Sequence, residues 1–128
     1  MPGFTVKNLK EVKDAAADRE YDIEARFARD HLDSEHLGIT YFRYGPGYRV
    51  PFGHRHREQE EAYIVTSGSG RARLGDENVE LREWDVVRVA PQVPRAFQAG
   101  PDGLEMIAIG SDRPEGGDAE MLPEFWAD

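Results

Sequence analysis

The sequence predicts an all-β protein that folds as one small antiparallel β-barrel. Runs of branched and aromatic residues, each bounded by Gly, Pro or Asp, recur at short intervals: 37–44, 61–66, 70–74, 78–82, 85–90, 95–98 and 103–110. Short strands at such regular spacing are typical of a sandwich or barrel. The length of 128 residues fits a single domain with a core of its own.

The remaining elements follow from local patterns. Ile23, Ala25 and Phe27 alternate with charged residues, which predicts a further strand, although the spacing of Ile23 and Phe27 would also suit a helix. The tetrad Gly75-Asp76-Glu77-Asn78 lies between two apolar runs and predicts a hairpin turn. Two prolines bracket residues 91–94, so this segment is a connection and not the middle of a central strand.

Composition changes divide the chain into three parts. We expect an N-terminal extension at 1–21, the barrel at 22–110, and a linker with an apolar C-terminal segment at 111–128. The last part is rich in Gly and acidic residues but ends in large apolar side chains: Met121, Leu122, Phe125 and Trp126. Because such side chains are rarely left in water, we expect the segment to dock, either on its own barrel or on a partner subunit.

The composition excludes several functions. The chain has no cysteine, so disulfides, zinc fingers, iron–sulfur clusters and thiol nucleophiles are excluded. Its 25 acidic and 16 basic side chains give a net charge of −9, which argues against nucleic acid and anionic membranes as partners. No apolar run approaches the ~18 residues of a membrane span. The first ten residues lack the features of a signal peptide, so we expect a cytoplasmic location.

A His-x-His pair is the main chemical signal. In an extended segment, residues two apart project to the same face, so His54 and His56 can approach one ion while Arg55 points away. Glu61 begins an alternating run, and a bend over residues 57–60 would return its carboxylate to the imidazoles. Two histidines and one carboxylate suit iron, manganese, nickel, copper or zinc and leave coordination positions open. The sequence therefore predicts a metal site of His54, His56 and Glu61.

Two alternatives accompany this prediction. A His-x-His pair also occurs in solvated loops, so the spacing alone leaves that interpretation open. Glu60 could replace Glu61 in a bend one residue tighter, but Tyr63 would then lie on the face opposite the ligand, so spacing and pleat favour Glu61.

Three aromatic residues are predicted to line the barrel interior, either as plain core or as contacts for a ligand: Tyr63, Tyr41 and Phe97.

The residues from Gly47 to Gly70 closely resemble the first motif of the cupin superfamily, which runs glycine, His-x-His, three or four residues, Glu, six residues and glycine. Glu61 and Gly68 fit this spacing, and Gly47 lies one residue further from the histidines than usual. Residues 85–97 resemble the second cupin motif. The resemblance implies a double-stranded β-helix of the jelly-roll type with a pocket between its two sheets, and it also implies a homodimer.

The second motif departs from the family where it matters for a metal. Arg95 stands at the position of the third cupin histidine, and a guanidinium has no lone pair with which to coordinate an ion. The site then either works with three ligands or has lost its metal. We expect Arg95 to turn toward Glu61 or toward an anionic ligand, which its planar fork can clamp; an ion pair at the barrel rim is the alternative.

These features predict a single-domain cupin barrel that binds a divalent transition metal and a small-molecule ligand. Histidine and carboxylate ligands do not distinguish iron, manganese, nickel and zinc. An oxygenase or isomerase acting on a small oxygenated anion is one interpretation of the pocket. A non-catalytic cupin that binds or senses a small molecule without metal is the second, and a barrel with a vestigial pocket is the third, because the fold alone does not decide function.

Overall fold

The computed structural model describes residues 3–128, and its regular secondary structure is almost entirely β-strand. The strands are β1 Ile23–Phe27, β2 Gly38–Tyr44, β3 Gly53–His56, β4 Glu61–Leu74, β5 Glu77–Arg82, β6 Val86–Val89, β7 Arg95–Gly110 and β8 Ala119–Leu122. All of their pairings are antiparallel. The described helices are two 3-10 turns, Leu9–Glu11 and Asp30–Leu32, and none is long enough to cross a membrane. The predicted all-β class and antiparallel jelly-roll barrel are confirmed.

The two long strands β4 and β7 connect the halves of the barrel. They pair along most of their length, with Glu61 opposite Gly110 and Leu74 opposite Arg95. Strands β2 and β1 extend the sheet from the second half of β7, whereas β3 and β8 follow from its first residue. Strands β5 and β6 pair with β4. The sheet therefore curls, and the space between its halves is the barrel interior.

Both long strands continue where the sequence predicted breaks. The residues of β4 were predicted as two strands, 61–66 and 70–74, and those of β7 as 95–98 and 103–110. The register between β4 and β7 shifts on both sides of Gly68. Gly68 has a φ of +79°, and a Cβ atom there would lie 2.1 Å from the carbonyl oxygen of Gly103. Glycine at this position permits a close approach and a bulge, so the chain bends without ending the strand.

The smaller predicted elements agree with the structure. Ile23–Phe27 is a strand, paired with β2 so that Ile23 lies opposite Tyr44. Leu74 lies opposite Glu77, so the predicted hairpin turns through two residues, and Gly75 has the positive φ of +64° that such a turn requires. Strand β8, within the segment read as a linker, has no counterpart among the predicted strands.

The core lies between the two halves of the barrel. Its buried members come from the long strands and their neighbours: Tyr44, Tyr63, Val65, Ala72, Leu81, Val89, Phe97, Ala99, Leu104, Met106 and Ala108. Most of them alternate along β4 and β7, as expected for strands that bury one face. This packing holds the ends of β3, β4 and β7 together on one side of the interior.

The C-terminal segment docks on its own barrel. Strand β8 pairs with β3, and the ring of Phe125 covers Gly53, where a Cβ atom would lie 2.6 Å from the ring. The indole nitrogen of Trp126 donates to the carbonyl oxygen of Val50 at 2.7 Å, and the guanidinium of Arg49 lies 4.3 Å from the indole centroid. Of the two docking modes left open by the sequence, the structure has the one within a single chain.

Candidate metal centre

Three strand ends bring the candidate ligands together. His54 and His56 lie on β3, Glu61 is the first residue of β4, and the intervening residues 57–60 form the bend that returns the chain. Arg95, the first residue of β7, lies opposite His54 in the sheet. Because these positions are fixed by strand pairing, the side chains are held by the backbone of the barrel and not by a flexible loop.

The ligand atoms of His54, His56 and Glu61 converge. Glu61 Oε1 lies 3.6 Å from His54 Nε2 and 3.2 Å from His56 Nε2, and all three ligand atoms lie within 4.8 Å of one another. Metal bonds of about 2.0 to 2.2 Å place neighbouring ligand atoms about 3 Å apart, so these separations match one coordination sphere. The structure brings together the three residues that the sequence proposed as ligands.

A buried carboxylate in the C-terminal segment orients His56. Asp118 Oδ1 lies 2.9 Å from His56 Nδ1, while Asp118 Oδ2 accepts hydrogen bonds from the backbone of Glu58 at 2.8 Å and Gln59 at 2.9 Å. Since a carboxylate accepts, Nδ1 carries a proton, and in the neutral ring the lone pair is on Nε2. His56 Nε2 is buried and has no hydrogen-bond partner. A bound metal would supply the partner that this imidazole nitrogen lacks, so the three ligand side chains fit a metal ion.

The sequence reasoning missed Asp118. It is buried, yet in the sequence it is one of several acids in a Gly-rich stretch, 62 residues from His56. Burial raises the pKa of Asp118, but the hydrogen bonds from Glu58, His56 and Gln59 outweigh this effect and lower it. Burial lowers the pKa of His56, but the nearby carboxylates of Glu61 and Asp118 outweigh burial and raise the pKa above its ordinary value.

Glu61 is held as an anion. Its Oε1 accepts a hydrogen bond from Tyr63 Oη at 2.5 Å and another from Arg95 Nη1 at 3.0 Å. Burial raises the pKa of Glu61, but contacts with His54, His56 and Tyr63 outweigh burial and hold the pKa well below its ordinary range. The pKa of Tyr63 is raised, first by burial and then by the Glu61 charge, so Tyr63 keeps its proton and donates.

Arg95 turns toward Glu61, one of the alternatives that the sequence left open. Its side chain is fully buried, with Nη1 on Glu61 and Nη2 donating to the carbonyl oxygen of Ala90 at 2.8 Å, so it does not form an ion pair at the rim. Its Nε is buried without a partner. A guanidinium this close to a divalent ion repels it by several kcal/mol, which the charges of Glu61 and Asp118 offset. Arg95 is thus the group that most opposes metal binding.

The three aromatic residues predicted to line the interior do not all do so. Tyr63 and Phe97 face the interior together, with ring centroids 4.7 Å apart. Tyr41 instead lies on the opposite face of β2, where its hydroxyl contacts Glu105 and accepts a hydrogen bond from Lys10 Nζ at 3.0 Å. The strand alternation explains the difference, because Phe42 is on the interior face and its neighbour must point away. We therefore correct the placement of Tyr41.

A cavity of about 1000 Å³ opens from this centre between the two halves of the barrel. The His54, His56 and Glu61 side chains line one part of it, together with Tyr63, Arg95 and Phe97. Pockets of a few hundred to about 1000 Å³ hold small organic molecules, so the space suits a ligand larger than an ion or a water cluster. The candidate metal centre is therefore the wall of a chamber that can admit a small molecule.

Comparisons with solved structures identify the fold. A cupin protein from Bacteroides fragilis superposes with a TM-score of 0.73 at 23% identity, covering 89% of this chain and 88% of the other. A sugar phosphate isomerase of the cupin superfamily from Silicibacter pomeroyi gives 0.70 at 17% identity, with 86% and 77% covered. Oxalate decarboxylase from Bacillus subtilis gives 0.74 at 24% identity; 92% of this chain matches 33% of that longer one. At these identities the likeness shows the fold.

The sequence itself shows the family. No curated protein matches the chain. The family described as Cupin domain, however, matches residues 40–110, more than half of the chain, and this span includes both candidate motifs. The strand order, the position of the His-x-His pair and this match agree. The chain belongs to the cupin family.

Proposed function

We propose that this cupin binds a divalent transition metal through His54, His56 and Glu61, with a small-molecule ligand in the cavity beside it. The observation that carries the proposal is His56 Nε2, a buried nitrogen without a hydrogen-bond partner that points at Glu61 Oε1, 3.2 Å away. Its other nitrogen is fixed by Asp118, as is usual for a histidine that ligates a metal.

The chain's own groups would do the following. Glu61 stays ionised and offers its carboxylate, and Tyr63 keeps its proton and can donate it to Glu61 or to a ligand oxygen. A divalent ion in this position would act as a Lewis acid that polarises an oxygen of the ligand. Arg95 adds a fixed positive charge behind Glu61, which would favour an anionic ligand. These groups suit an isomerase or an oxygenase acting on a small oxygenated molecule.

Three of the similar proteins are named for activities on small oxygenated molecules: a sugar phosphate isomerase, an oxalate decarboxylase and a nucleoside dehydratase. This range supports a small-molecule ligand for the same fold but does not choose among substrates.

A cupin that binds a small molecule without metal is the second candidate. The contact of Arg95 Nη1 with Glu61 Oε1 at 3.0 Å favours it, because this oxygen already accepts from Arg95 and Tyr63. In that case the ion pair would replace the metal charge, and the pocket would hold its ligand without a bond to a metal.

Metal analysis distinguishes the two candidates. We expect up to one transition metal per chain after reconstitution, and none bound by a variant with His54→Ala and His56→Ala. The control is His31→Ala with His36→Ala, which removes two exposed histidines elsewhere and should change nothing. Wild-type protein that binds no metal after reconstitution would exclude the first candidate and leave the second.

Arg95→His is a sharper test of the same site. It removes the repelling cation and supplies an imidazole, so metal affinity should rise by at least about tenfold, the equivalent of 1.4 kcal/mol. Arg88→His is the matched control, because Arg88 is exposed and pairs with Glu60 outside the centre. Affinity that is unchanged or lower in folded Arg95→His protein would contradict the placement of Arg95 beside the metal.

A further inference from the structure

One hydroxyl in the cavity wall has no use in the metal centre. Tyr44 lines the cavity and is only 8% exposed. Among residues 3–128 its hydroxyl has no hydrogen-bond partner, whereas the hydroxyl of Tyr41 bonds with Glu105 and Lys10 and that of Tyr63 bonds with Glu61. Burial raises the pKa of Tyr44, so its hydroxyl keeps its proton and can donate. This hydroxyl is not one of the fully buried side-chain atoms that lack a partner, so it reaches the cavity space, where a ligand could supply an acceptor.

The wall around this hydroxyl is aromatic. The ring of Tyr44 stacks between Phe42 and Tyr48, with centroid distances of 5.8 Å and 5.9 Å, and all three residues line the cavity. Tyr63 and Phe97 supply two further rings inside the same chamber. These rings make this part of the wall aromatic and largely apolar, which suits a ligand with an aromatic body.

The mouth of the cavity is apolar as well. Four of the large hydrophobic side chains that are exposed in the described chain line this cavity: Tyr21, Phe27, Phe52 and Met121. Clusters of exposed apolar side chains around a concave surface often mark a ligand-binding groove. A molecule with an apolar body would therefore find favourable contacts from the opening inward.

Positive charge accompanies this apolar surface near the metal centre. Arg57 and Arg113 line the cavity, and neither has a carboxylate within ion-pair distance in the described part of the chain. Both lie beside the segment that carries Asp118: the backbone of Arg57 donates to the carbonyl oxygen of Asp118 at 3.3 Å, and Arg113 lies next to Gly117. In a protein of net charge −9, two guanidiniums without carboxylate partners favour an anionic group at this end.

We propose that the cavity binds a hydroxylated aromatic acid, whose ring lies against the Phe42, Tyr44 and Tyr48 wall and whose ring oxygen accepts from Tyr44. Its carboxylate faces the metal-centre end, where Arg57 and Arg113 lie. The inference rests on the proposed function for the location of the ligand beside the centre. It goes further in naming the ligand class and in assigning specificity to Tyr44, which has no hydrogen bond with the candidate metal ligands among the described residues.

The test is calorimetric titration with 4-hydroxybenzoate and three relatives, with and without metal. Benzoate lacks the hydroxyl, 4-methylphenol lacks the charge, and cyclohexanecarboxylate lacks the planar ring. We expect 4-hydroxybenzoate to bind most tightly. Tyr44→Phe should weaken it about fivefold, the range of one neutral hydrogen bond, and should leave benzoate unchanged. Tyr41→Phe, the same substitution outside the cavity, is the control and should change neither affinity.

The outcomes separate this inference from the metal proposal. Equal affinity of wild type and Tyr44→Phe for 4-hydroxybenzoate would overturn the inference, as would tighter binding of cyclohexanecarboxylate than of the aromatic acids. If the protein binds metal but none of the four ligands, the inference fails and the proposed metal centre stands. If 4-hydroxybenzoate binds in a Tyr44-dependent manner to protein that takes up no metal, the inference stands and the metal centre fails.

Discussion

Asp118→Asn tests whether the C-terminal segment sets the state of the candidate centre. Asp118 accepts from two backbone N–H groups at 2.8 Å and 2.9 Å and from His56 Nδ1 at 2.9 Å. An asparagine retains one oxygen. If that oxygen still accepts from the two backbone N–H groups, the NH₂ group of the asparagine faces His56 Nδ1. His56 Nδ1 must then be the acceptor. The proton moves to Nε2, and the nitrogen aimed at Glu61 loses its lone pair.

Two magnitudes follow from these contacts. Hydrogen bonds to a charged acceptor contribute more than those to a neutral amide, so unfolding free energy should fall by about 2 to 3 kcal/mol in urea at pH 7. Removing the partner of a ligating imidazole typically weakens metal binding by about 10- to 100-fold, which competition with a chromophoric chelator measures. A nitrogen-15 spectrum of the histidines should show the tautomer of His56 change.

Glu120→Gln is the matched control, an acid-to-amide change two residues away. Glu120 is largely exposed and lies 3.4 Å from Arg55, so its loss should cost less than about 0.5 kcal/mol. Metal affinity should be the same as in wild type. If Asp118→Asn leaves both the His56 tautomer and the metal affinity unchanged, Asp118 does not orient the imidazole and the argument is refuted.

Two further predictions concern other parts of the barrel. Hydrogen bonds from Arg26 and, to a smaller extent, Arg43 lower the pKa of Glu24 to about 2, below its unfolded value. Glu24 therefore stabilises the fold fully above pH 4.5, and this contribution is lost as the pH falls toward 2. Allowing for solvent screening, Glu24→Gln should cost about 1 to 2 kcal/mol at pH 7 and progressively less as the pH falls through 2, measured by denaturation at each pH. A constant difference would contradict the ion pairs. Trp126→Ala removes the hydrogen bond to Val50 and should lower the unfolding free energy by about 2 kcal/mol. It should also expose the C-terminal segment to protease equally at low and high protein concentration, because the segment docks within one chain. Protection that rises with protein concentration would indicate docking on a partner.

The sequence predicted the architecture better than the details of the site. Alternation and turn residues suffice for the strands, and the His54 and His56 spacing places two imidazoles on one face because the pleat requires it. The strand continuity through Gly68 escaped prediction, because a glycine that ends a strand and one that bends it look alike in sequence. Tyr41 was misplaced for a similar reason, since the alternation of β2 has aromatic residues on both faces.

The contacts that define the centre are beyond local patterns. Asp118 is recruited from 62 residues away, and only the pairing of β8 with β3 brings it to His56. The sequence left several orientations of the Arg95 side chain open. Burial explains the orientation in the structure, because a buried guanidinium requires an acceptor such as Glu61. The metal ligands, the homodimer and the cytoplasmic location stay predictions.

The two tryptophans of the chain offer a label-free optical readout of the C-terminal segment. Trp84 is 74% exposed at a β-turn, so acrylamide should quench its fluorescence readily. Trp126 is partly buried against the barrel beneath Arg49, so its emission should be bluer and harder to quench. In a Trp84→Phe background, a red shift of the single remaining emitter would register the segment lifting away from the barrel. Stopped-flow fluorescence would then measure the rate at which the C-terminal segment leaves the barrel.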